Sequence, residues 1–504
     1  MRKLLLLIAV LLAPVSLAAG CGDNHEAASG ASELVPGGAV VYGEANLKPE
    51  GDQKKAIDSI LAKFPGGDRA GDRLKELIDK GLRKSDAPIS FKDDVEPWLG
   101  DEAAFFVGHI AQSGDPQSSA AVIAATDEDK ARAALEKSAD GKTEKHDYKG
   151  VSYITDSTGD AGAVFDGFLV LGTENGVKAT IDTSKGGPKL SDDPDYRKAL
   201  AKAASDRLGF FYVNSPELLA SLRDAGQPIP DSFQKFLKES VVATVDADDD
   251  GVVLEGSIPS EMGGAFALFG QGSDLLKELP GDSWLAFGQS DLGKLLGVYV
   301  DAYAGIAGGR DAAEAQFKAA TGLDLQRDVL SWMGDFGVFA RGTSLASLDG
   351  ALVVKTSDEA ASGRFLSALE RLARAQADSG TEIQRRSGGF TIRIATVPKP
   401  IHAFVQSGKV VFAYGDAAAR DAVNPSGTLG DSPDFTAAQD SLGDYDVSSY
   451  VLIKPILDLV DSTSAGDDAH WQDAKPYLEP LNALVAGTSG SGDDLKSAVK
   501  LIVK

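Results

Sequence analysis

Apolar positions along this chain of 504 residues come in short runs, broken by glycine, proline and charged residues, and they alternate between two spacings. Between Asp52 and Phe64 the residues Ile57, Ile60, Leu61 and Phe64 recur at helical spacing. Val151–Thr155 and Phe390–Ile394 are short, β-prone runs bounded by turn residues and read as strands. Each half of the chain predicts the same series. A strand follows Pro-Gly, then come a helix, two strands, a helix introduced by Thr-Asp-Glu, short strands, a helix near Asp-Pro-Asp, another strand and a final hairpin. Short turns favour hairpins over crossovers, so the expected fold class is α+β, a mainly antiparallel sheet with helices packed on one face. The 56 glycines suit a chain with this many turns.

The series is written twice in residues as well as in pattern. Asp94–Gly108, DVEPWLGDEAAFFVG, matches Asp328–Gly342, DVLSWMGDFGVFARG. Pro36 matches Pro280, Tyr42 matches Phe287, Thr126 matches Thr356, LSDDPDY from Leu190 matches LGDSPDF from Leu429, and Pro216 matches Pro455. Ordered matches with small changes in separation imply a tandem duplication. The expected domains are a leader at 1–20, a tether at 21–33, copy one at 34–265 and copy two at 266–504.

Within the repeated phrase, Asp94 and Asp328 are placed to cap a short helix. Val95, Trp98, Leu99 and Val329, Trp332, Met333 then fall on one apolar face. Gly100 and Gly334 stand where a helix end calls for positive φ. The two tryptophans are expected in the core, and the strands that follow are expected to superpose Phe105 on Phe339.

The first twenty residues have a different character: Arg2 and Lys3, an apolar run from Leu4 to Val15, then Leu17-Ala18-Ala19-Gly20 before Cys21. This is the form of a secretory signal. LAAGC has the form of a bacterial lipobox, in which the thiol of Cys21 takes a diacylglyceryl group and becomes the mature N-terminus. Cys21 is the sole cysteine, so disulfides within one chain are excluded. Residues 22–32, polar and small, read as a flexible tether reaching on the order of 20 Å. Removing the leader takes away Arg2 and Lys3 and no acidic residue, so the net charge moves from −25 to −27. No Lys/Arg cluster along the chain reverses that sign, and nucleic acid is not an expected partner.

The lipoprotein leader, the Pro-Gly strand opening near Val35, the WLGDEAAFFVG phrase and the duplication together resemble the secreted bacterial proteins of the domain of unknown function 3352 family. The resemblance extends over most of the mature chain. It implies no activity, substrate or catalytic residue.

The residues themselves offer little chemistry. His25, His109, His146, His402 and His470 never fall at metal-ligand spacing. Ser232–Lys235 formally satisfies S-x-x-K without the companion motifs of penicillin-recognising enzymes. Asp246, Asp248 and Asp250, followed by Gly251, reproduce the start of a calcium loop, but its twelfth position is Ser257 and the flanks read as strands. A bare hairpin is the expected structure. What the two halves share is Trp, Gly, Pro and apolar positions, which set folding. The expectation is therefore a non-enzymatic binding or interaction module without cofactor. It would be exported, held at the outer face of the membrane or elsewhere in the envelope through Cys21, with another envelope protein as partner. A carrier or sensor of an apolar, lipid-like ligand in a cleft is the alternative, and a hydrolase with an unrecognised site is the second alternative.

Overall fold

The computed structural model describes residues 30–84, 89–108, 110, 117–139, 143–201, 203, 206–226, 229, 234, 238–257, 272–307, 309–490 and 495–504. Cys21, the leader, most of the tether, Ser232, Lys235 and the expected 265/266 boundary lie outside them. The chain divides into two compact units. Unit one comprises residues up to 229 and 236–257, and unit two comprises 230–235 and 258–504.

Unit one is built on ten antiparallel strands: β1 (Val41–Asn46), β2 (Leu99–Val107), β3 (Ser119–Ala125), β4 (Glu144–Tyr148), β5 (Val151–Thr155), β6 (Asp160–Phe165), β7 (Phe168–Thr173), β8 (Gly209–Val213), β9 (Val241–Asp248) and β10 (Gly251–Ser257). Their spatial order is β4-β5-β6-β7-β3-β2-β1-β8-β9-β10. Unit two has β11 (Leu285–Gln289), β12 (Met333–Arg341), β13 (Asp349–Thr356), β14 (Thr381–Arg386), β15 (Gly389–Ile394), β16 (Ile401–Gln406), β17 (Lys409–Tyr414), β18 (Asp446–Leu452), β19 (Leu481–Ser489) and β20 (Lys496–Val503). Its order, β14-β15-β16-β17-β13-β12-β11-β18-β19-β20, is the same arrangement.

The fold class is α+β. Helices cover both faces of the sheet, which corrects the expectation of one. In unit one the helix Glu128–Ser138 sends Ala131, Ala134 and Leu135 into a core with Trp98, Ile154, Val164 and Leu169. The helix Glu174–Ser184 sends Val177 and Ile181 into the opposite core with Tyr42, Phe106, Val122 and Val170. Alternate residues of one strand therefore feed two cores, and β7 accordingly reads as a continuous apolar run.

The Trp phrase also differs from its expected form. Asp94 is not a cap but the penultimate residue of a wide helical turn, Phe91–Val95, capped by Ser90; Asp328 has the same place in Leu325–Val329, capped by Asp324. Each carboxylate accepts the backbone N–H at the start of its turn, Ser90 at 2.7 Å and Asp324 at 3.0 Å. Each backbone carbonyl accepts the indole N–H, from Trp98 at 2.6 Å and Trp332 at 2.9 Å. Lys137 grips Asp94 at 2.6 Å and Arg364 grips Asp328 at 3.1 Å, tying the turn to the next helix. Hydrogen bonds from Arg327, then from the Asp324 N–H, hold the Asp328 carboxyl well below the usual carboxylate range. Gly100 lies in β2 rather than at a helix stop and has no positive φ. Its missing side chain serves close approach, since a Cβ would come within 2.5 Å of the Ala124 Cβ.

Register separates the two units by one residue in places. Between β2 and β3 the ladder steps from Leu99↔Ala125 to Ala103↔Ile123, while between β12 and β13 it steps from Met333↔Thr356 to Phe336↔Val354. The bulge in β2 thus holds one residue more, and a one-residue slip exchanges the faces beyond it. The counterpart of Phe339 is therefore Phe106, not Phe105, and that of Tyr42 is Ala286, not Phe287. Trp98 and Trp332 precede the bulges and do correspond: their carbonyls accept the N–H of Thr126 at 2.8 Å and of Ser357 at 3.1 Å. That pairing also moves the partner of Thr126 from Thr356 to Ser357.

The described segment begins before β1 as a seated strap. Ala31–Glu33 form a short 3-10 turn with Ala31 buried, so these last residues of the expected tether are seated on the unit. Lys189 holds Glu33 at 2.7 Å, and Leu190 N–H donates to the Val35 carbonyl at 2.8 Å.

Candidate functional site

One row of residues runs across each sheet from strand to strand. In unit one it reads Thr155, Ala161, Gly172, Ala120, Phe106, Tyr42, Tyr212. In unit two it reads Thr391, His402, Ala413, Ala351, Phe339, Ala286, Tyr450. The rows agree in small and aromatic character at most positions. They part at two: His402 stands in the position of Ala161, and Ala286 in that of Tyr42.

His402 is 5% exposed. Its Nδ1 lies 3.0 Å from the hydroxyl of the buried Thr391, and its Nε2 lies 3.0 Å from Oδ1 of Asp416 on the helix Asp416–Asp421. That second approach is short but poorly directed for a hydrogen bond, so Asp416 acts on Nε2 chiefly through its charge. Burial, then the nearby Arg386 guanidinium, pushes the imidazole below its ordinary value, so it is neutral at pH 7. Arg386, at the end of β14, lies over the buried Phe404 ring with its guanidinium carbon 3.9 Å from the centroid, and burial lowers its affinity for the proton. Together with Gln406, Arg420 and Asn424, these groups line a groove of about 350 Å³.

Thr391, His402 and Asp416 follow one another as in a hydrolytic triad, but the order of exposure is inverted. A nucleophilic hydroxyl must face substrate and its carboxylate must be sheltered. Here Thr391 is 8% exposed and lies beneath the imidazole, while the Asp416 side chain is 77% exposed. The arrangement presents donors to the groove and hides the hydroxyl.

Unit one has a different polar cluster. Tyr42 Oη donates to Glu44 at 2.7 Å, Arg207 pairs with the other Glu44 oxygen, and Ala31 N–H donates to both oxygens of Glu102 at 3.0 Å. Burial, then the charge of Glu44, raises Glu102 to about 7. Through Glu102 the cluster fastens the strap to β2.

The other candidates are dispersed. Asp246 lies within β9, Asp248 ends it, and Asp249 with Asp250 makes the two-residue loop to β10, one position before the expected Asp-Gly turn. Asp250 N–H donates to Asp248 Oδ1 at 3.3 Å, so that carboxylate closes the turn. Among the described residues no three His, Cys, Asp or Glu side chains converge as a metal site. Millimolar calcium is accordingly expected to leave the unfolding midpoint unchanged; a rise that vanishes in Asp248→Ala would contradict this. His146 stacks on Tyr153 at 4.9 Å, and His470 lies in the first turn of the helix Ala469–Leu478. His25 and His109 lie outside the described residues.

The basic groups around His402 were invisible to a linear reading for Lys/Arg clusters. Arg386 on β14 and Arg393 on β15 act electrostatically on His402 in β16, and Arg420, on the helix after β17, joins Arg386 in lining the groove. The available signal was the alternation of FTIRI, followed by a histidine in the next strand.

The model of the family described as "Protein of unknown function (DUF3352)" matches residues 4–456. The chain belongs to this family. No curated protein matches the chain. A solved structure titled "Structure of crystal form IV of TP0453" is 12% identical, covering 45% of this chain and 79% of its own, with a TM-score of 0.24, too low to bear on fold or function. Among the described residues no helix is long and apolar enough to cross a membrane.

Proposed function

We propose that this protein is a lipid-anchored, non-catalytic binding module of the cell envelope, built from two copies of a duplicated unit. The observation that carries the reading is the comparison of the two rows. What both units keep is the skeleton, Trp98 and Trp332 with their turns. The polar groups set on it differ, His402 taking the place of Ala161, and the triad-like series buries its hydroxyl. A shared scaffold carrying unlike surfaces suits recognition more than a common reaction. The form of residues 1–21 supports attachment through acyl chains, which is needed where an acidic surface gains nothing from anionic headgroups.

Metabolic labelling with a palmitate analogue is expected to mark the wild-type protein and not Cys21→Ala, which should also lose cleavage at that residue. A labelled Cys21→Ala protein would sink the anchor. Purification from crosslinked envelopes is expected to bring down a specific protein partner. Stoichiometric co-purified lipid without protein would favour a lipid carrier instead.

A further inference from the structure

We infer that the groove beside His402 in unit two is a binding site for a small oxyanion, a carboxylate or phosphate group held by Arg386 and the imidazole Nε2–H. This deepens the binding reading above and rests on it.

The first support is an uncommitted cation. In a chain of net charge −25 most arginines near carboxylates are engaged: Arg341 with Asp349, Asp282 and Asp421, Arg364 with Asp328, Arg385 with Glu370. Arg386 has no ion-pair partner among the described residues, although it is half-buried and held on Phe404. Arg386 also lines the groove. Its guanidinium fork matches two oxygens of a carboxylate or phosphate.

The second support is independent of charge. His402 is nine-tenths buried, its Nε2 makes no well-directed hydrogen bond although Asp416 Oδ1 lies 3.0 Å away, and it lines the same groove. In the tautomer in which the Thr391 hydroxyl donates to Nδ1, the proton stands on Nε2, on the groove side of the ring. A buried donor left unpaired is costly, and an incoming oxygen would relieve that cost. Gln406, Asn424 and Arg420 add further donors around the rim, and Asp416 is the single acidic residue of the lining. Its exposed carboxylate, 3.0 Å from Nε2, is the group an incoming anion displaces. The fold has no need of this arrangement, because Ala161 takes the same register position in unit one.

The test uses the full chain in detergent, titrated calorimetrically with inorganic phosphate, glutarate and, as a cationic control, lysine methyl ester. Phosphate or glutarate is expected to bind, with affinity reduced about tenfold or more in Arg386→Gln and partly restored in Arg386→Lys. Arg420→Gln, at an exposed position, provides a second variant should Arg386→Gln unfold; it is expected to weaken binding several-fold. Phosphatidylglycerol vesicles against phosphatidylcholine vesicles, read by flotation of a chain begun at Gly22 so that neither leader nor acyl anchor is present, separate a lipid headgroup from a free anion as the source. Absence of binding by either anion and by both vesicles, or binding indifferent to both arginine variants, overturns the proposal. Such a failure leaves acylation at Cys21 and partner capture untouched. Turnover of a bound phosphate ester would instead defeat the non-catalytic reading while the site stands.

Discussion

Replacing Trp98 or Trp332 by alanine is expected to destabilise the unit that carries it by about 3–5 kcal/mol. Both indoles are 1% exposed and both sit where a wide helical turn meets the first residue of a core strand. Trp98 packs among Ile78, Ile89, Phe91, Val95 and Leu135. Trp332 meets Phe365 at 5.7 Å and lies in a core with Phe336, Leu366 and Phe390. Truncation removes apolar contact, and it also strips the Asp94 or Asp328 carbonyl of its indole donor, which adds the cost of an unpaired buried acceptor. Phenylalanine should recover part of the packing and none of the hydrogen bond. Hydrogen exchange resolved by peptide is the suitable measurement, because β2 and β3 report on unit one while β12 and β13 report on unit two. Unchanged protection in the strands next to either truncation would show that the indole is not part of the core.

That the two tryptophans would be interior was legible because the phrase carries local information: apolar residues three and four apart, then a strand. The strand order was legible only as a repetition, since the hairpin turns mark neighbours but not the face a helix will cover. Glu128 and Glu359 show what decides the latter. Each reaches from its helix to the glycine N–H of a β-hairpin turn, Gly167 at 2.7 Å and Gly408 at 2.8 Å, and so fixes that helix against one face. Nothing in the sequence near either glutamate announces the contact. Register failed for a similar reason. The extra residue in the β2 bulge has no marker, and the adjacent Phe105 and Phe106 make either alignment with Phe339 look acceptable. The groove was illegible because its groups lie on separate elements: Arg386 ends one strand, His402 sits in another, and Arg420 belongs to a helix. Side chains that meet only through hairpin pairing leave no spacing for a motif to record.

Glu102→Gln is expected to make the strap before β1 more stable at pH 8 and to remove a pH dependence that the wild-type protein shows. Glu102 faces Glu44 and Asp101, which oppose its ionisation, and the Ala31 N–H and Arg207, which favour it; burial outweighs the favourable pair and raises it from 4.5 to about 7. A carboxyl raised in the folded state binds its proton more tightly there than in the unfolded chain. Its contribution is therefore complete below about 4.5, declines as pH rises toward 7, and is lost above. The shift corresponds to about 3 kcal/mol as an upper figure. Glutamine retains one oxygen for the Ala31 N–H and cannot ionise, so the variant should lack this decline. Subtracting the two proteins' urea midpoints at each pH cancels the opposite trend of carboxylates such as Asp328, which are held low by arginine. The difference should be flat below pH 4.5, change between 4.5 and 7, and be flat again at higher pH; parallel curves throughout would refute the assignment. Because Glu102 bonds only the first turn of the strap, the loss should appear earliest as faster hydrogen exchange at Ala31 and Leu34, where the chain leading from Cys21 joins the folded unit.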